Sequence, residues 1–147
     1  MGVRRKGREL AMQALYQSDV HGEPALAPLR LFFEHAEGGA EAKRFAVALV
    51  DGVREQRERI DQLIGAASEH WRFERLSRVD VNVLRVATYE LLTGGAPTSV
   101  VLNEAIEIAR RFGTEESSVF VHGILDQIAG QLGVREEPAQ RSPRNDG

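Results

Sequence analysis

The chain has no cysteine among its 147 residues. That excludes disulfide staples, a thiolate nucleophile and any zinc site that needs thiolate ligands. No apolar run approaches the ~20 residues needed to span a bilayer, and the N-terminus lacks the apolar core of a signal peptide. A soluble protein of a reducing cytoplasm, with no membrane partner, is expected. Lysine is scarce as well: Lys6 and Lys43 are the only two among 19 basic residues, an arginine bias that a GC-rich genome explains as readily as any function. No alternating apolar run predicts a strand. His21, His35, His70 and His122 are scattered without metal-ligand spacing, and no glycine loop suited to cradling phosphate is present. Glu90, Glu104 and Asp126 fall near core-facing positions, but Arg85 and Arg110 on neighbouring helices make ion pairing their simpler use. No catalytic residue, cofactor or metal site is expected, and the chain does not read as an enzyme.

What is present is concentrated at the start. Arg4, Arg5, Lys6 and Arg8 stand against Glu9 alone, a local excess of three positive charges on a chain whose formal charge is −3. A cationic cluster on an acidic body is a localised anion site, best matched to a nucleic-acid backbone. The cluster runs into a helix predicted over Arg5 to Val20. At about 100° per residue, Gly7, Leu10, Ala11, Ala14, Leu15 and Ser18 share a small, apolar arc. Arg5, Glu9, Met12, Gln13 and Tyr16 fall on the opposite side, with Arg8 at the boundary. Guanidinium for phosphate, amide for base edges and ring for stacking are the tools of single-stranded RNA recognition. A solvated basic helix face is the plainer alternative.

The rest reads at helical period. A short helix is expected after Pro28 through Phe33, then a long one from about Glu41 to Ile64 with Gly52 and Gly65 as places to bend. Ser77 and Asp80 have capping-box spacing ahead of a helix whose buried stripe is Val79, Val83, Leu84, Val86, Ala87 and Leu91. A further helix runs from Thr98 or Ser99 to Phe112. The last follows Thr114, with Glu115 and Glu116 in its first turn. Phe120 lies about 100° from the centre of that helix's buried stripe, which suits either a stacking surface or the rim of the core. Glu107 precedes Arg110 and Arg111 by three and four residues, so local ion pairing is their default use. The length suits one all-α domain over residues 1–133, divided into bundles of about 4–68 and 69–133, with a disordered tail over 134–147.

Four strings carry a resemblance to a known family: Arg4 to Tyr16, Val83 to Leu91, Asn103 to Ala109, and Phe112-Gly113 through Phe120 to Asp126. In this order and spacing the chain resembles the NusB family of bacterial transcription antitermination factors. The resemblance implies two packed three-helix-type bundles and no catalysis. It implies binding, together with NusE, to the boxA element of nascent ribosomal RNA within the transcription elongation complex. Carried over, the family's RNA segment falls on Arg4, Arg5, Lys6 and Arg8, with Gln13 and Tyr16 beyond. Its stacking Phe falls on Phe120, and an acidic residue of its NusE-facing surface falls on Asp80. Two positions depart from the family pattern. Gly7 replaces the usual alanine, which implies fraying of the basic segment, and His122 replaces an asparagine. The alternatives are an RNA-recognition domain serving an RNA methyltransferase and a helical protein–protein adaptor.

Overall fold

The computed structural model describes residues 2–21, 26–69 and 76–135. These form seven α-helices and no strand: α1 Val3–His21, α2 Leu26–His35, α3 Ala40–Glu55, α4 Arg57–Ala67, α5 Arg78–Thr93, α6 Thr98–Phe112 and α7 Ser117–Leu132. His70, Trp71, Phe73 and most of the expected tail lie outside the described residues.

The central element is α5, which packs on α1, α3, α4, α6 and α7. Every residue from Asp80 to Thr88 is buried, where the sequence predicted only a stripe. A helix surrounded by neighbours has no solvated face, so its polar side chains need internal partners. Arg85 finds them in Asp61, with Nε 2.9 Å from Oδ1, and Asp19, with Nη1 2.9 Å from Oδ2. Asn82 also donates to Asp19, at 3.0 Å. One apolar cluster runs through both halves of the chain, from Leu10, Ala14 and Leu15 of α1 to Ile124, Leu125 and Ile128 of α7.

Several predicted boundaries move. Helix α2 begins at Leu26 and takes Pro28 into its first turn, where a missing backbone N–H breaks no helical bond. The long third helix divides at Gln56, whose φ of −108° and ψ of 22° leave the helical region. Gly52 therefore bends nothing. It is buried against the Tyr89 ring, which occupies the space a Cβ would fill. Helix α7 starts only at Ser117, so Glu115 and Glu116 precede it. Ser77 caps α5 as expected, its hydroxyl accepting the Asp80 N–H at 3.0 Å. Val134 and Arg135, placed in the tail by sequence, are held to the bundle. Thr98 Oγ1 donates to the Val134 carbonyl at 2.7 Å, and Arg135 pairs with Asp126 at 3.3 Å.

Candidate nucleic-acid interface

The cationic segment enters α1 directly, and α1 packs chiefly on α3 and α5. Gly7 makes the first contact close. A Cβ there would lie 2.6 Å from Phe45 Cδ2 and 3.0 Å from the Ala42 carbonyl. The glycine expected to fray the segment instead lets it dock. Arg4 and Arg8 both lie on the Phe45 ring, 4.6 and 5.5 Å from its centroid, within the range of a cation–π contact.

The four basic residues then separate by environment. Arg4 is exposed, and Arg5 and Lys6 are intermediate. Arg5 makes a two-point fork to Glu104 of α6, with Nε and Nη2 each 2.8 Å from a carboxylate oxygen. This pairing raises the Arg5 pKa, and its hydrogen bond holds the Glu104 carboxyl below the ordinary carboxylate range against the opposing effect of burial. Arg8, at the boundary of the exposed face by helical period and an RNA contact by resemblance, lies inside the bundle. Its side chain is 5 % exposed and forks onto Glu90 of α5 at 2.7 and 3.0 Å. A guanidinium spent on a buried carboxylate is a structural ion, which corrects that assignment. Glu9 and Met12, expected on the outer face, are buried at 2 % exposure each, because residues of α5 and α6 cover that side. Gln13 and Tyr16 keep partial exposure.

Arg4, Arg5 and Arg8 line a shallow cleft of about 570 Å³ together with Ala96 and Pro97 of the α5–α6 turn and Val100 and Glu104 of α6. Lys6, Gln13, Tyr16 and Phe120 lie outside this lining. Phe120 is partly buried and packs against the core. Asp80 does not reach a surface: it is 3 % exposed, with Oδ1 buried and without a hydrogen-bond partner among the described residues. Burial raises its pKa, while the Ser117 and Ser77 hydroxyls act in the opposite direction. A direct partner contact by Asp80 is thereby corrected to a buried position at the N-terminus of α5. No cluster of three potential metal ligands occurs among the described residues. The sequence did not reveal Phe45 as a guanidinium platform or Glu104 as the Arg5 anchor, 99 residues away.

Fold and cleft together define the class of all-helical bundles with an arginine-lined cleft. Within that class the chain belongs to the NusB family, whose family model matches residues 5–130. It is 50 % identical over 134 residues to the transcription antitermination protein NusB of Geobacter sulfurreducens, covering 90 % of this chain and 97 % of that one. Among solved structures it is similar to T. maritima NusB, with 42 % identity, a TM-score of 0.77, and coverage of 87 % of this chain and 91 % of that one. It is also similar to a chain in a crystal structure of the antitermination factors NusB and NusE in complex with dsRNA. There the identity is 25 % and the TM-score 0.76, with 89 % and 98 % of the two chains covered.

Proposed function

We propose that this chain is an RNA-binding transcription antitermination factor that acts with NusE on the boxA element of nascent RNA. The observation that carries the reading is the cleft at the start of α1, which Arg4 and Arg5 line together with the apolar Ala96, Pro97 and Val100. Cations beside apolar groups suit a phosphate backbone with its bases turned inward. Membership of a family of antitermination factors supports the same reading, as does a similar fold found with NusE and RNA. Residues 1–133 act as one unit, since the cleft draws on both halves. Arg4, Arg5 and Lys6 supply charge, Gln13 a base-edge contact, and Tyr16 and Phe120 stacking surfaces. Asp80 acts beneath the partner-facing surface, holding the start of α5. The chain works in the cytoplasm as a binding protein without catalysis.

Filter binding with single-stranded boxA RNA, a scrambled strand and a duplex of the same sequence, with and without NusE, tests this. Preference for boxA that tightens with NusE is expected, and RNA must then tighten NusE binding by the same factor. Equal affinity for all three RNAs, unaffected by NusE, rejects it.

A further inference from the structure

The stripe Arg5, Glu9, Gln13 and Tyr16 along α1 is crossed at its midpoint by a residue that sequence spacing had paired elsewhere. Arg110, not Arg111, takes the neighbouring Glu107, at 2.6 Å. Arg111 instead reaches over to α1 and donates from Nη1 to Glu9 Oε2 at 3.0 Å. Glu9 is 3 % exposed at its side chain, whereas Arg111 is 56 % exposed. The buried carboxylate thus pins a guanidinium whose bulk remains in solvent. Among the described residues that one hydrogen bond uses one of five N–H donors. The guanidinium carbon lies 5.0 Å from the centroid of the Phe112 ring, so a cation–π contact as well as charge holds the group. Glu9 stands four residues from both Arg5 and Gln13, about 6 Å along the helix axis in either direction.

We infer that Arg111 is a further RNA-binding residue: a guanidinium platform, oriented by Glu9 and in cation–π contact with Phe112, that carries the strand from the Arg5 cleft towards Gln13 and Tyr16. The inference rests on the RNA-binding reading above. A planar, oriented guanidinium offers donors to a phosphate at its edge and a face to a base. Lysine at this position would keep the charge and lose the face.

The test compares Arg111→Gln, Arg111→Lys and the pair Arg111→Gln with Glu9→Gln, which removes the buried charge should the single variant unfold. Single-stranded boxA RNA is titrated across salt, with thermal unfolding as the check on folding and Arg5→Gln in parallel. Loss of the Arg111 charge is expected to make the log K against log salt slope shallower by about 0.7 and to weaken binding at least about fivefold. Arg111→Lys should keep the slope and still bind more weakly. If Arg5→Gln weakens binding while every folded Arg111 variant matches the parent in affinity and slope, the inference falls and the RNA reading stands. If the parent chain binds no RNA, both fall.

Discussion

Arg8 and Glu90 face each other inside the bundle, side chains 5 % and 6 % exposed, joined by hydrogen bonds of 2.7 and 3.0 Å. Two charges removed from water are tolerable only together. Arg8→Ala is therefore expected to destabilise the fold by about 3–5 kcal/mol, the usual cost of leaving one buried ion unpaired. Urea unfolding checks it; a loss below about 1 kcal/mol, the range of exposed pairs, contradicts the pairing.

The salt dependence of RNA binding follows from which cations remain accessible. Arg4, Arg5 and Lys6 neutralising about three phosphates give a log–log slope near −2, at roughly −0.7 per contact. Arg4→Ala and Lys6→Ala should each make it shallower by about 0.7 with little change in thermal stability. An unaltered slope in the double variant places the phosphate contacts elsewhere.

Tyr16 and Leu15 are adjacent in sequence and opposite in environment: Leu15 is 3 % exposed, while Tyr16 keeps partial exposure. Leu15→Ala should cost about 2–5 kcal/mol of folding. Tyr16→Ala should cost about 1–3 kcal/mol of RNA binding and much less stability, with Tyr16→Phe binding normally. The stacking role is excluded if Tyr16→Ala unfolds the protein as readily as the leucine variant.

Two carboxyls carry opposite pH signatures. Burial raises Asp80, so its ionised form opposes folding; that cost grows as pH rises from the unfolded pKa through the folded one and vanishes below both. Arg5 lowers Glu104, which therefore contributes stability above the unfolded pKa and loses it as pH falls through the folded one. Relative to the parent, Asp80→Asn should be more stable near neutrality and Glu104→Gln less, with both differences shrinking in acid. Denaturation curves from about pH 3 to about pH 8 decide it, and matching signs for the two variants would overturn the assignment.

Gly52 and Gly65 looked alike in the sequence and differ in space. The Tyr89 ring fills the place of a Cβ at Gly52, and nothing lies within 4 Å of one at Gly65. Gly52→Ala should destabilise by about 1–3 kcal/mol and Gly65→Ala should stabilise by about 0.5–1 kcal/mol. Equal changes in melting temperature refute the contrast.

The helices and their apolar faces were legible because a 3.6-residue period records which side of a helix avoids water. Leu10, Ala14, Val83, Ile124 and Leu125 were read correctly on that basis. Periodicity is silent on which neighbour covers the other side. Met12 and Glu9 were assigned to solvent because α6 and its Arg111 cannot be seen from α1, 102 residues away. The Arg5 fork, the burial of Arg8 and the submersion of Asp80 were hidden for the same reason. The break at Gln56 escaped notice because glycine, the stronger local signal, was serving a packing contact instead.

Among the described residues, the ion clusters around Arg8 and Arg85 have crossed polarity. At one end the first half of the chain supplies the cation, Arg8, and the second half the anion, Glu90; at the other end the second half supplies the cation, Arg85, and the first half the anions, Asp19 and Asp61. Docking the halves end for end would set Arg8 against Arg85 and Glu90 against Asp19 and Asp61. The charges work as a polarised two-pin connector that biases the two halves towards one orientation, and that orientation brings Arg5 to Glu104 and closes the cleft.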